Sequence, residues 1–204
     1  MTVEIHDMPQ GTPEWHQARL GIPTASMFGT VMAKGVGGGS SITRRTYLMK
    51  LAGEILTGEP CENYTNGHME RGKVMEAEAR SYYEFVTDDP VRQIGFIRNG
   101  SKGASPDSLV GENGMLEIKT ALPHVLGEIL LKDNFPPEHM PQCQGNLWVA
   151  EREWLDIVIY WPSMPKFIKR VVRDEAYIER LSAAVDEFNA ELTEIVHRLR
   201  SKAA

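Results

Sequence analysis

The stretch GASPDSLVGENGMLEIKT, residues 103–120, sets two acids and a base, Asp107, Glu117 and Lys119, among apolar and turn-forming residues. In a strand, residues two apart share a face, so Glu117 and Lys119 project together, roughly 6.5–7 Å apart, and Ile118 points the other way. The turn signal GENG (111–114) folds SLV (108–110) back alongside as a hairpin. For Asp107 to stand across from Glu117, paired residue numbers must sum to 224. A two-residue turn at Glu112–Asn113 gives 225 and sends one acid to the opposite face, since one step of register reverses every side chain. The expectation is therefore a three-residue loop, 111–113, or a five-residue loop, 110–114, with Asn113 suited to a left-handed position in the shorter one.

Two carboxylates from adjacent strands make a hard oxygen site, suited to Mg²⁺ with Mn²⁺ as a substitute. A nearby lysine orients an attacking water or stabilises negative charge growing on phosphorus. E-x-K alone is equally the ion pair of a solvated strand face. The SPD upstream (105–107), with a turn between, is what turns the reading toward metal-assisted phosphodiester hydrolysis. Zinc chemistry is not expected: the six histidines are scattered, without H-E-x-x-H or C-x-x-C spacing. Cys61 and Cys143 lie outside any nucleophile or metal context and read as structural thiols of a reducing compartment.

These residues need a scaffold, and 204 residues at 42% hydrophobic suffice for one domain with a sizeable core, about 12–172, followed by a C-terminal amphipathic helix. No apolar run spans a bilayer, and MTVEIHDMPQ is not an export signal, so a cytoplasmic location is expected. A net charge of −6 is unlike a uniformly basic nucleic-acid binder, but a basic channel fits within an acidic chain.

Thr12 and Pro13 open a helix that Gly21 stops, and Thr24 caps a short one through about Ala33. GVGGGSS (35–41) reads as a mobile loop. Helical spacing then covers Ile42–Leu56, ended by Gly58, and about 67–85. Strands are expected at 91–97, 108–110, 115–119, 154–160 and 166–172, with helices near 124–132 and 137–150. The fold class is α/β (α+β), a central mixed sheet of about five strands flanked by helices. In the last helix, about 174–200, Ile178, Leu181, Val185, Phe188, Leu192, Ile195 and Leu199 form a seam for the domain's own core or for another chain.

SPD followed by LEIK resembles the P-D…(D/E)-x-K pattern of the restriction-endonuclease-like nucleases. EWHQARLGIPTAS (14–26), GKVMEAEAR (72–80) and MPQCQGNLWV (140–149) occur in the order and spacing of lambda exonuclease and the YqaJ-type viral recombinase nucleases. The resemblance covers about residues 12–160. It implies Asp107, Glu117 and the Ile118 carbonyl as metal ligands, Lys119 as catalytic lysine, Glu76 as an additional acid near the metals, and Gln142 bordering the site. A serine, Ser108, follows Asp107 where the family often has glycine.

Arg19 supplies a guanidinium fork suited to a terminal phosphate, and Thr24 and Ser26 offer hydroxyls beside a helix start. With Ser105 they resemble the family's 5′-phosphate pocket, and Trp15 resembles an aromatic near the terminal bases. Read singly, Thr24 and Ser26 are equally caps, Trp15 a core aromatic and Arg19 an ion-pair partner. Arg44 and Arg45, with Lys34, Lys50, Arg71 and Lys73 nearby, are candidates for gripping DNA phosphates or ordinary solvated charges.

The resemblance implies a metal-dependent 5′→3′ exonuclease on linear double-stranded DNA. It would degrade one strand to 5′-mononucleotides and leave a 3′ single-stranded tail for recombination. It further implies a homotrimeric ring around DNA and a single-strand annealing protein as partner. A structure-specific or restriction-type endonuclease of the same fold is one alternative, and a non-catalytic DNA-end-binding module another.

Overall fold

The computed structural model describes residues 2–35, 39, 41–61 and 67–202, without the side chains of 67–71 and 73. Most of the expected loop 35–41, and the side chains of Arg71 and Lys73, lie outside the described residues. The elements run β1 (Val3–His6), α1 (Pro13–Ala18), a 3₁₀ turn (Ala25–Met27), α2 (Phe28–Met32), α3 (Ile42–Thr57) and α4 (Gly67–Thr87). Then follow β2 (Val91–Arg92), β3 (Phe96–Asn99), β4 (Lys102–Ala104), β5 (Ser108–Val110) and β6 (Gly114–Thr120). The chain continues with α5 (Pro123–Lys132), a 3₁₀ turn (Pro137–His139), α6 (Met140–Ala150), β7 (Trp154–Tyr160), β8 (Phe167–Val172) and α7 (Glu175–Arg200).

A five-stranded mixed sheet runs β2-β5-β6-β7-β8, with β6 and β7 parallel and the other pairs antiparallel. β7, WLDIVIY, is almost wholly buried because helices cover both faces, which is why it reads as a near-continuous apolar run. On one face Met75, Ala79 and Tyr83 of α4 pack against Leu116, Ile118 and Val158. On the other, Met115, Leu155, Ile157 and Ile159 join a core with Leu147 of α6, Leu48 of α3 and Phe188 of α7.

The β5–β6 hairpin has the expected register: Ser108 pairs with Leu116, Leu109 with Met115 and Val110 with Gly114, leaving 111–113 as the loop. The left-handed residue is Gly111, at φ 51°, rather than Asn113. Glycine carries no Cβ penalty there. Arg152 Nη1 donates to the carbonyls of Gly111 (3.1 Å) and Gly114 (2.7 Å), clamping the loop from the end of α6.

The expected strand 91–97 is two strands in two sheets. β2 joins the central sheet, and β3 sits between β1 and β4 in a three-stranded sheet. The crossing point is Gly95, whose N–H donates to His6 O at 2.9 Å and where a Cβ would lie 2.0 Å from Met8 O. No other residue fits so close to that backbone.

The seam of α7 packs on the protein's own core. Ile178, Leu181, Val185, Phe188 and Leu192 are buried, and at the C-terminal end Val196 is more buried than Ile195. A 3.6-residue turn drifts from a strict 3.5 repeat, so the buried stripe leaves the heptad positions. Asp174 caps the helix, accepting the Tyr177 N–H at 3.0 Å. At Gly145 a Cβ would meet the Phe28 ring at 2.5 Å, so α6 lies tight against the 25–28 segment.

Candidate active site

The hairpin delivers the first acid. Asp107 stands just before β5, and its Oδ2 accepts the Ile118 N–H at 2.5 Å, which ties it to the strand carrying Glu117. Ser108 is buried; its hydroxyl donates to Asp107 O at 2.5 Å and accepts from Arg80 Nε at 3.0 Å. The serine in the usual glycine position thus fastens the bend to α4. As the two-residue period demands, Ile118 packs under α4 while Glu117 and Lys119 face the α6 side.

Glu117 is 3% exposed, and its carboxylate is enclosed by donors. Oε1 receives Lys119 Nζ at 2.7 Å and Gln142 Nε2 at 2.7 Å, and Oε2 receives Asn146 Nδ2 at 2.9 Å. Gln142 and Asn146 lie one turn apart on α6, on one face of the helix. Burial alone would lower the Lys119 pKa, but Glu117, then Asp107, reverse the effect and hold it above its ordinary value. Burial and the adjacent Glu117 push the Cys143 thiol up to about 12, so it is a packing group and not a nucleophile.

Glu76, on α4, ion-pairs with Arg80 one turn on. The Asp107 carboxyl is pushed well above the usual carboxylate range, first by burial, then by the charges of Glu117 and Glu76. Adjacent carboxylates whose charges act on one another favour a positive charge beside them. The donor chemistry also fits a hard divalent ion: Asp107 and Glu117 supply carboxylate oxygens, and few protein ligands leave room for water and phosphate. Asn146 Oδ1, fully buried beside Glu117, has no hydrogen-bond partner among the described residues. Among the described residues no cluster of three His, Cys, Asp or Glu side chains forms a ready-made metal cage. A hard divalent ion held by one or two carboxylates and water does not require one.

The phosphate-pocket candidates also converge. Arg19 lies over the Trp15 ring at 3.8 Å and its Nη2 donates to Thr24 Oγ1 at 3.4 Å, while Thr24 and Ser26 share a hydroxyl contact at 3.3 Å. Trp15 Nε1 donates to Gly95 O at 2.9 Å and to Ser105 Oγ at 3.1 Å. Thr24 does not cap with its side chain, and its N–H goes to the Tyr47 hydroxyl at 3.2 Å. Thr12 does cap, accepting from Trp15 N. Trp15, Arg19, Thr24, Glu76 and Asp107 line one cavity of about 1210 Å³.

Arg44 is not part of this assembly. It is 6% exposed, donates to both Glu191 oxygens at 2.7 and 3.1 Å, and reaches Val31 O at 3.2 Å. It joins α3 to α7. Arg45 and Lys34 are exposed, and Lys50 lines the cavity. Sequence reasoning missed Asn146, Arg80 and Tyr47. Asn146 and Arg80 each follow an identified residue, Gln142 and Glu76, by one helical turn, a signal that was available. Tyr47 falls inside the helical spacing of Ile42–Leu56, which carries no sign of a cavity role.

Residues 14–153 match the YqaJ-like viral recombinase domain. The chain belongs to that family. The alkaline exonuclease LHK-Exo from Laribacter hongkongensis is similar over 94% of this chain and 98% of its own, at 34% identity and a TM-score of 0.84. Its complex with dAMP superposes with a TM-score of 0.85. A phage-related exonuclease from Haemophilus somnus 129PT, 12% identical over 87% of this chain and 96% of its own, shares the fold with a TM-score of 0.66. Among curated proteins none is similar enough to be matched. By family model and structural neighbour the chain falls in an exonuclease family with a restriction-endonuclease-like fold. Among the described residues no helix is long and apolar enough to cross a membrane.

Proposed function

We propose that the protein is a divalent-cation-dependent 5′→3′ exonuclease acting on linear double-stranded DNA. It removes mononucleotides from 5′-phosphorylated ends and leaves a 3′ single-stranded tail for recombination by strand annealing. One observation carries the reading: Asp107 and Glu76 share a single cavity with Arg19 and Thr24. A terminal phosphate gripped at Arg19 then places an internal phosphodiester toward the carboxylates. End dependence follows from that adjacency, since an endonuclease has no use for a terminal-phosphate grip beside its acids.

Asp107, Glu117 and the Ile118 carbonyl would hold Mg²⁺, with Mn²⁺ as a substitute, and Glu76 would add charge nearby. The cation supplies positive charge against the scissile phosphate and makes a water more acidic. The Lys119 ammonium, fixed by Glu117, stabilises negative charge developing on the phosphate oxygens. Gln142 and Asn146 hold Glu117 in one orientation. Arg19, Thr24, Ser26 and Ser105 bind the 5′ phosphate, and Trp15, held by Ser105 and covered by Arg19, shapes the pocket wall near the terminal bases. Arg45 is an exposed candidate for the DNA backbone. The relative crystallised with dAMP, a deoxynucleoside monophosphate, is consistent with a mononucleotide product. A single nuclease domain over 1–204, a homotrimeric ring and an annealing partner complete the proposal.

The test follows acid-soluble nucleotide release in Mg²⁺ and in EDTA from linear duplex and from a covalently closed circle, with Lys119→Ala alongside. Release from the linear form only, abolished by EDTA and by the substitution, is expected. Cutting of the circle would make the protein an endonuclease. Binding of ends without release would make it a non-catalytic end-binding module.

A further inference from the structure

Besides its own turn bonds, Ile22 N–H to Arg19 O at 3.1 Å and Met27 N–H to Thr24 O at 2.8 Å, and the Gly103 N–H to Pro23 O at 3.1 Å from β4, the segment carrying Arg19, Thr24 and Ser26 is tied to α3. Two residues of α3, seven apart and so on one helical face, reach it at two points. Glu54 Oε2 accepts the Gly21 N–H at 2.9 Å, and the Tyr47 hydroxyl accepts the Thr24 N–H at 3.2 Å. Tyr47 is 7% exposed, yet it lines the same cavity as Arg19, Thr24 and Asp107. Its ring is stacked on Phe188 of α7, with centroids 5.5 Å apart, so the hydroxyl sits on a fixed support. Burial raises the phenol above its ordinary value, while the Thr24 backbone and hydroxyl, and then Arg19, act to lower it.

Resting on the terminal-phosphate reading of this cavity, we infer that Tyr47 is a positioning residue that sets end specificity. Its hydroxyl anchors Thr24, so that the Thr24 hydroxyl and the Arg19 guanidinium it contacts meet the same phosphate. A neutral phenol suits this position, because it accepts the buried N–H without placing a negative charge beside the incoming anion. Without it, the Thr24 N–H is buried and unpaired, and the residue turns to find another partner.

Tyr47→Phe removes one oxygen and keeps the ring on Phe188. The measurement is the ratio of kcat/KM on duplexes of identical sequence bearing 5′-phosphate or 5′-hydroxyl ends, with Arg19→Ala in parallel. Because both ends are assayed on one preparation, any loss of folded protein cancels from the ratio. Bonds to a charged phosphate are the strong ones, so the ratio should fall on the order of tenfold in Tyr47→Phe, mostly through KM. An unchanged ratio, with both ends slowed equally, would overturn the inference while a collapsed ratio in Arg19→Ala left the phosphate pocket standing. Indifference of the unsubstituted protein to the end group would remove the phosphate reading itself, and this inference with it.

Discussion

Replacing Lys119 by methionine keeps the aliphatic stem and removes the charge. Glu117, 3% exposed, would lose the cation 2.7 Å from its Oε1 and keep only the neutral donors Gln142 and Asn146. Breaking a fully buried ion pair by removing one partner costs about 3–5 kcal/mol. The Lys119 side chain is 29% exposed, which lets water screen part of the pair and lowers the figure to about 2–3 kcal/mol. For a domain of this size that is a fall in Tm of roughly 5–10 °C in EDTA. A divalent cation held by Asp107 and Glu117 would replace the missing charge. Lys119→Met should therefore gain more Tm from added Mg²⁺ than the unsubstituted protein does, while remaining inactive. Thermal denaturation by circular dichroism, in EDTA and across a Mg²⁺ series, reads both quantities. Equal Tm values in EDTA, or equal gains with Mg²⁺, would refute the idea that Lys119 balances the buried Glu117.

Asn146→Ala frees Glu117 Oε2 from its 2.9 Å donor and should reduce nuclease activity roughly 10–100-fold, as loss of a ligand-orienting partner does, with secondary structure intact by circular dichroism. Arg44→Ala should lower stability by about 2–3 kcal/mol in urea, because Arg44 is buried while Glu191 is partly exposed, yet leave the phosphorylated-end preference unchanged. Gly145→Ala should cost about 1–3 kcal/mol by driving α6 off Phe28, again measured in urea. With a thiol-alkylating reagent at pH 8, Cys61, exposed, should react fully under native conditions, and Cys143, buried with its thiol held up to about 12, only after unfolding.

The hairpin was legible because side-chain period and turn length together fix register: only an odd loop puts Asp107 across from Glu117, and 111–113 is odd. The left-handed position went to Gly111 because the preference of Asn for such a conformation is weaker than that of Gly. β1 and β4, four and three residues long, carried too little alternation to announce themselves. The split at Gly95 depends on Met8, far away in sequence, which no local pattern encodes. The same limit hid Tyr47 and Arg44. An apolar-face tyrosine and an arginine beginning a helix look alike whether they end in a cavity or in the core, and only packing against Thr24 and Glu191 separates them. Gln142 and Glu76 were named through resemblance, and their neighbours one turn on, Asn146 and Arg80, were missed although helix geometry alone pointed to them.

The most direct test of an end-dependent 5′→3′ exonuclease uses a linear duplex with one 5′-phosphorylated strand and one strand whose 5′ end is blocked, each carrying its own internal label. Incubated with the protein in Mg²⁺, the phosphorylated strand should disappear from its 5′ end into mononucleotides, and the blocked strand should survive at full length. Loss beginning at 3′ ends, or internal cuts in either strand, would contradict the account.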